Sequence, residues 1–249
     1  MTLVKFTVVL ALLSIRTEAA VTSSRAPATS LADRSHELLA KTLASHPAPY
    51  GYRSGDPKIS NSCHHIRTVP ISLRWGWVMK PSGLSNYYQK YTETYGIPVV
   101  GSQNVSDGAL SRACYVLRVL LADHSAIRQS FYKLFGRVAV IGSGERVTAV
   151  PEYRFLPDHW NERSRGLGAT ESVPVSSGAE ENLLCYRNGS DRYAKEDIFL
   201  HELAHGVHLL GAKYAIPGWQ RDLERAYESV NKTGLWNDTY SRQSAEEYL

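Results

Sequence analysis

The sequence has no run of lysine or arginine residues, no internal repeat and little excess charge. Its 249 residues carry a formal net charge of +4, spread evenly along the chain. Nucleic-acid-binding proteins commonly carry a basic tract or patch, so this charge pattern does not argue for nucleic acid, and we expect no nucleic-acid partner. The composition, 43% hydrophobic and 21% charged, is typical of a globular protein with one large domain or two small ones.

Long apolar runs are also scarce, and the most pronounced apolar run lies near the N-terminus. Met1–Lys5 carries one positive charge, Phe6–Ile15 is an apolar run, and the small residues Thr17 and Ala19 follow. A run of this length is too short to cross about 30 Å of hydrocarbon as a helix. The pattern predicts a secretory signal peptide over residues 1–19, a secreted protein and no membrane partner.

Cysteine is rare, with only Cys63, Cys114 and Cys185 in the chain. In an oxidising compartment an odd number leaves at least one cysteine without an intrachain partner, and the sequence does not identify the pair. Secretion would also make the Asn-x-Ser/Thr sequons acceptors for N-glycosylation. These sequons begin at Asn104, Asn188, Asn231 and Asn237.

Hydrophobic periodicity predicts a mixed α+β fold with a small mixed sheet. Residues 20–66 are expected to form a disordered or linker region, which leaves residues 67–249 for the domain. Apolar residues at every odd position from Val69 to Met79 predict a half-buried strand. Further strands are predicted at 97–101 and 138–141, helices at about 107–123, 125–135, 194–210, 217–231 and from 243 onward, and a loop-rich region at 142–192.

His201, Glu202 and His205 form an H-E-x-x-H pattern within one predicted helix. Residues four apart lie on the same helix face, so both imidazoles can reach one metal ion. Glu202 lies about 100° round the helix, close to a water molecule that zinc would activate. The opposite side of the helix is apolar and consists of Phe199, Leu203, Val207 and Leu210. The pattern predicts a zinc site on a helix that packs its back on the core, with Glu202 as general base.

A catalytic zinc ion needs a third protein ligand. His208 lies about 10 Å along the helix axis from His201 and is not an obvious ligand. Glu224 follows His205 at a spacing that several zincin families use, but it falls outside the apolar face of its own helix. A solvated helix glutamate is therefore the better interpretation of Glu224. Glu247 is the other candidate.

The segment Asp197–Leu249 resembles the catalytic core of the anthrax lethal factor-type zincin metallopeptidases and of uncharacterised secreted proteins related to them. That family shows H-E-x-x-H, then a tyrosine some tens of residues later, then a glutamate seven positions further on that opens an aromatic-rich helix. Tyr240 and Glu247 have this separation here, and Arg242 falls where the family has an arginine. The resemblance implies a zincin-like fold, Glu247 as third zinc ligand, and Tyr240 as a group that stabilises the oxyanion.

The resemblance is weaker elsewhere. Arg165–Thr170 and Glu180–Cys185 look similar to stretches in the secreted relatives, but these stretches have no assigned chemistry. An edge strand or loop near the cleft and a plain structural turn are both open interpretations of the first. The family's glutamate helix continues for several turns, whereas this sequence ends two residues after Glu247. We therefore expect a C-terminally incomplete copy in which Glu247 is poorly supported.

Together these features favour a secreted zinc-dependent endopeptidase with a protein or peptide substrate. His201, His205 and Glu247 would hold Zn²⁺, Glu202 would accept a proton from the zinc-activated water and pass it to the leaving amine, and Tyr240 would assist the oxyanion. One alternative is a secreted, non-catalytic binding protein on a zincin fold, with zinc structural or absent. Another is a zinc hydrolase that acts on a different kind of bond.

Overall fold

The computed structural model describes residues 63–74, 83–186 and 189–249. The predicted signal peptide, most of the predicted linker, the end of the predicted strand at 69–79 and Asn188 lie outside these ranges. Within them, no helix is both long and apolar enough to cross a membrane.

The described residues form strands, helices and one π-helical segment. The strands are β1 (Arg67–Thr68), β2 (Lys90–Thr94), β3 (Ile97–Gly101), β4 (Arg137–Ile141), β5 (Gly166–Leu167) and β6 (Val175–Ala179). The α-helices are α1 (Asp107–Leu120), α2 (Ser125–Lys133), α3 (Trp160–Arg163), α4 (Glu180–Leu183), α5 (Ile198–Gly206), α6 (Lys213–Ala215) and α7 (Trp219–Thr233). The π-helical segment Val207–Ala212 joins α5 to α6, and short 3-10 helices lie at Ile71–Arg74, Val147–Ala149, Pro151–Tyr153 and Tyr240–Arg242.

The strands form one mixed sheet in the order β1-β2-β3-β4-β6-β5. The three central strands, β3, β4 and β6, are parallel, and the outer strands are antiparallel to their neighbours. The fold is therefore mixed α+β, as predicted. The short strand β5 forms the edge of the sheet beside β6, with Gly166 opposite Gly178 and Leu167 opposite Ser177.

Both faces of the central strands are buried, as is usual for parallel strands. In β4, Val138 and Val140 contribute to the core on the side of the long helices, whereas Ala139 and Ile141 contribute to a second core on the other side. The sequence predicted β3 and β4 because they are continuous apolar runs. Helix α1 is also confirmed, since the hydroxyl of Ser106 caps it by accepting a hydrogen bond from the N–H of Ala109 at 3.2 Å.

Two predicted elements are wrong. The described part of the strand at 69–79 is a 3-10 helix, because the carbonyl of Pro70 accepts the N–H of Leu73 and closes a turn. Val69 and Leu73 are consequently buried while Ile71 is 73% exposed, so the alternation is broken. Where a helix was predicted from residue 243 onward, the structure has a single turn over residues 245–248. Ser244 closes this turn by accepting the N–H of Glu247 on its hydroxyl and the N–H of Tyr248 on its carbonyl.

The strand β6 was missed within the region expected to be rich in loops. Its sequence, Val-Ser-Ser-Gly-Ala, has none of the large β-branched or aromatic periodicity that predicts a strand. It is nevertheless fully buried in the sheet between β4 and β5. Its small side chains allow α5 to pack closely against the sheet.

A disulfide bond joins Cys63 to Cys114, a pairing that the sequence alone did not identify. Both half-cystines are buried, and Ile66 also packs against the helical core, although residues up to 66 were expected to belong to the linker. Cys185 is a free, exposed thiol.

Removal of the disulfide should destabilise the fold. The bond closes a loop with a sequence separation of 51 residues, so the double variant Cys63→Ser/Cys114→Ser should lose about 4 kcal/mol of unfolding free energy because the unfolded chain gains freedom. Denaturant unfolding measures this change. Cys185→Ser is the control and should unfold like the wild type; equal midpoints for all three proteins would contradict the prediction.

Candidate metal centre

The loop before α5 is held in place by one buried amide. The side-chain nitrogen of Asn182 donates to Asp191 and to the carbonyls of Tyr193 and Glu196. Its oxygen accepts the N–H of Ile198, the first residue of α5. The side chain of Asp197 caps the same helix by accepting the N–H of Leu200. The start of the H-E-x-x-H helix is therefore fixed by hydrogen bonds to a neighbouring segment of the chain.

The helix α5 presents His201 and His205 on one side, and the C-terminal segment brings Glu247 to them. The two Nε2 atoms lie 3.1 Å apart. Oε2 of Glu247 lies 3.2 Å from Nε2 of His201 and 3.7 Å from Nε2 of His205. The predicted ligand residues thus form one group, although Glu247 lies more than forty positions after the two histidines in the sequence.

The spacing of these three atoms fits a small tetrahedral cation. Ligand atoms about 2.0–2.1 Å from a tetrahedral zinc ion lie about 3.3 Å from one another, and the observed separations are 3.1, 3.2 and 3.7 Å. Oε2 of Glu247 is buried and accepts no hydrogen bond of acceptable geometry. A buried carboxylate oxygen without a hydrogen bond is costly, and a coordinated cation would satisfy it.

The electrostatics of the group favour a charged Glu247. Burial alone would raise the pKa of this carboxyl, but the neighbouring imidazoles of His201 and His205 lower it to about 2. The pKa of His205 is raised, because the nearby carboxylates outweigh the effect of burial. Burial raises the pKa of Glu202, against the charges of both histidines and a hydrogen bond from the backbone of Gly168. The group therefore holds a charged carboxylate, that of Glu247, beside two imidazole rings.

Tyr240 lies beside this group, as the resemblance implied. Its ring centroid is 6.2 Å from that of His201. Burial raises the pKa of the phenol, and so do the charges of Glu247 and Glu202, so the hydroxyl keeps its proton and can donate it in a hydrogen bond. The side chain is 53% exposed, which leaves it accessible to a ligand.

The segment that carries Glu247 is supported by α7, contrary to the expectation of poor support. Tyr248 and Leu249 are buried in the helical core. The hydroxyl of Tyr227 donates to the carbonyl of Arg242, and the guanidinium of Arg242 donates to the carbonyl of Val230. Arg242 therefore fixes the approach of the segment and does not contact the three ligand residues directly.

Glu224 lies on the exposed side of α7 and accepts a hydrogen bond from Gln220. The interpretation of Glu224 as a solvated helix residue is confirmed. The apolar side predicted for the H-E-x-x-H helix is also confirmed, because Phe199 and Leu203 of α5 and Val207 and Leu210 of the π-helical segment are all buried.

The edge of the sheet touches the H-E-x-x-H helix through glycines. A Cβ atom at Gly168 would lie 2.6 Å from Cβ of His205, and one at Gly166 would lie 3.1 Å from Cγ of Glu202. A Cβ at Gly178 would lie 2.7 Å from Cβ of Phe199. The Gly-Leu-Gly stretch is therefore an edge strand against the site, which was one of the open interpretations.

The two stretches without assigned chemistry are joined by a buried ion pair. The guanidinium of Arg165 donates to both carboxylate oxygens of Glu181, at 2.6 and 3.0 Å, and also to the carbonyls of Glu145 and Gly142. Nearly all its donors are satisfied, as a buried charge requires. This pair fixes the start of β5, and with it the glycines that touch α5. Sequence analysis missed this role because the partners are distant in sequence.

His208 belongs to the core and not to the metal ligands. It lies in the π-helical segment, is 1% exposed, and its Nδ1 accepts a hydrogen bond from Nε1 of Trp219 at 2.8 Å. Burial lowers its pKa to about 4, so the ring is neutral at pH 7. The carbonyl of Leu210 in the same segment accepts the hydroxyl of Ser130 in α2. The π-helical segment is thus tied to both α7 and α2.

A methyl group at Gly168 should separate the sheet edge from the helix. Gly168→Ala places a Cβ against His205, so we expect a loss of about 2 kcal/mol in unfolding free energy, typical of overpacking. A Cβ at Gly144 would meet nothing within 4 Å, so Gly144→Ala is the control and should change stability by less than about 0.5 kcal/mol. Equal unfolding midpoints for the two variants would show that the contact is not tight.

His208 should make the stability of the protein acid-sensitive. The pKa of His208 in the folded state is about 4, below its ordinary value of 6.5. Between pH 6.5 and pH 4 the unfolded state therefore binds a proton that the folded state does not bind, and the free energy of unfolding falls as the pH falls. We expect a loss of about 2 kcal/mol between pH 7.5 and pH 5. Denaturant unfolding in the presence of a chelator measures it.

Two variants separate the titration from the hydrogen bond. His208→Asn keeps an acceptor for Trp219 without a titrating group, so its stability should change less over this pH range. His208→Leu leaves the indole N–H buried without a partner and should cost about 1–3 kcal/mol at pH 7.5. A full acid response in His208→Asn would assign the effect to another group.

Comparison of the chain with protein-family models, with curated proteins and with solved structures found no match. The family resemblance of the segment Asp197–Leu249 therefore stays a prediction. The chemistry of the centre has to be inferred from its own residues.

Proposed function

We propose that the protein is a secreted zinc metallopeptidase with a zincin-like fold. The single observation that carries this proposal is the convergence of His201 Nε2, His205 Nε2 and Glu247 Oε2, at separations that suit tetrahedral zinc. Two histidines and one carboxylate are a ligand set of catalytic zinc sites, in which a fourth position stays open for water. Secretion rests on the signal-like N-terminus and agrees with the Cys63–Cys114 disulfide.

Bound zinc would act as a Lewis acid that polarises a substrate carbonyl and lowers the pKa of a water molecule. Glu202 follows His201 on the same helix and is the proton acceptor from water. The same carboxyl then passes the proton to the amine that leaves the substrate, so the peptide bond is replaced by a carboxylic acid and an amine.

Tyr240 and the edge strand complete the proposed site. The phenol hydroxyl of Tyr240 would donate a hydrogen bond to the carbonyl oxygen as negative charge develops on it. Gly166 and Gly168 keep β5 close to Glu202 and His205, so these two side chains pack against the edge strand of the sheet. This is the preorganisation that a catalytic group needs.

Metal analysis of the secreted, mature protein tests the proposal. Wild type should carry one zinc ion per chain. Glu247→Ala removes a ligand and should weaken zinc binding by about 100-fold or more, because loss of outer-shell partners alone costs 10–100-fold. Glu224→Ala is the matched control on the exposed side of α7 and should keep its zinc.

Turnover is tested with Glu202→Gln on a peptide library. This variant should keep zinc but lose hydrolysis by about 10²–10⁴-fold, since general-base catalysis contributes that much. A wild type without zinc, or a Glu247→Ala variant that binds zinc equally well, would refute the three-ligand site. Zinc binding without hydrolysis in any library would favour a binding protein instead.

A further inference from the structure

An exposed cation lies at one end of the edge strand. Arg163 is the last residue of α3, and its chain runs through Ser164 and Arg165 into β5. Gly166, three positions later, lies against Glu202. Arg163 is therefore a short extension of the strand that borders the metal centre.

The backbone around Arg163 is held firmly. Its carbonyl accepts a hydrogen bond from the hydroxyl of Tyr193 at 2.7 Å. The guanidinium of Arg192 donates to the carbonyl of Glu162, which satisfies a further carbonyl at the end of α3. The guanidinium carbon of Arg163 lies 5.0 Å from the centroid of the Trp160 ring. A cation placed over an indole is attracted to it and loses some of its mobility.

Arg163 lies within reach of the candidate metal centre. Gly166 is so close to Glu202 that a Cβ atom there would lie 3.1 Å from Cγ of Glu202. Three residues of fully extended chain span at most about 11 Å, so the Cα atom of Arg163 lies within that distance of Gly166. A peptide bound along β5 at the centre would therefore pass within reach of the Arg163 side chain.

Arg163 has no acidic partner among residues 63–74, 83–186 and 189–249. Two other arginines differ, because Arg165 is paired with Glu181 and Arg137 with Glu152. Those two are buried, whereas Arg163 is exposed. The rim of the centre thus carries a positive charge that a ligand could neutralise.

We propose that Arg163 is a specificity residue that binds a substrate carboxylate close to the scissile bond. This inference rests on the proposed peptidase function and names its substrate class, peptides with a carboxylate near the cleaved bond. A guanidinium can bind a carboxylate through two parallel hydrogen bonds, which gives both affinity and orientation. The carboxylate can belong to an aspartate or glutamate side chain or to the C-terminus of the peptide.

The test measures binding, so it does not depend on turnover. Full-length mature Glu202→Gln protein, with and without added zinc, is titrated into fluorescein-labelled octapeptide pools, and anisotropy is recorded. One position at a time is fixed as Asp or as Asn, and each pool is made with a free and with an amidated C-terminus. The same titrations are done with Arg163→Gln, Arg163→Lys and the control Arg225→Gln, an exposed arginine of α7, in the Glu202→Gln background.

We expect the Asp pool to bind about tenfold more tightly than the Asn pool at one position, as for a charge-assisted contact. Arg163→Gln should abolish this preference, Arg163→Lys should keep part of it, and Arg225→Gln should keep all of it. A preference for free over amidated C-termini that Arg163→Gln abolishes would also support the proposal and assign the carboxylate to the peptide terminus.

The proposal is overturned if neither preference exists, or if Arg163→Gln leaves the observed preference unchanged. This result would stand even if the wild type binds zinc and cleaves peptides, so the peptidase function would survive it. Conversely, a carboxylate preference that depends on Arg163, in a protein without zinc or hydrolysis, would refute the peptidase and keep the binding site.

Discussion

The close approach between the sheet edge and the H-E-x-x-H helix is the constraint on which the rest of the site depends. Glycines at 166, 168 and 178 remove the side chains that would otherwise hold β5 and β6 away from α5. The hydroxyl of Ser176 uses the small gap, since it donates to the carbonyl of Glu202 and accepts the N–H of Ala169. A helix packed at this distance cannot rotate, so its polar side faces away from the core.

Buried polar groups then hold the sheet edge and the helix in one arrangement. Arg165 and Glu181 connect the start of β5 to α4, and Asn182, the next residue along, connects α4 to the start of α5. The stretch Glu180–Cys185 thus holds both the edge strand β5, through Glu181, and the start of α5, through Asn182. Removal of one partner would leave a buried group unpaired, which is why such pairs determine a specific arrangement more than they add stability. The geometry of the two histidines is a product of this distant network.

Much of the fold and the centre could be predicted because its signals are local. The strand at Ile97–Gly101 follows from its apolar run, the helix that begins at Asp107 from its apolar face and a capping serine, and the histidine pair from helical spacing. Glu247 came from resemblance, since nothing local marks it as a ligand. The strand β6 could not be predicted because its small residues have low strand propensity. They are small because α5 packs closely against them. The roles of Arg165 and Asn182 depend on partners distant in sequence, which a local pattern does not contain.

The π-helical segment Val207–Ala212 fixes how many residues can lie between His205 and α7. A π turn holds one residue more than an α turn, so every position beyond it is rotated by about 100° relative to an uninterrupted α-helix. His201 and His205, before the segment, and the residues of α6, after it, therefore lie in different helical phases of one continuous rod. Loss of a single residue from Val207–Ala212 would restore one phase, and it would turn Trp219 and the segment that carries Glu247 away from their present positions. A substitution within Val207–Ala212 therefore keeps this phase, whereas an insertion or deletion there changes it.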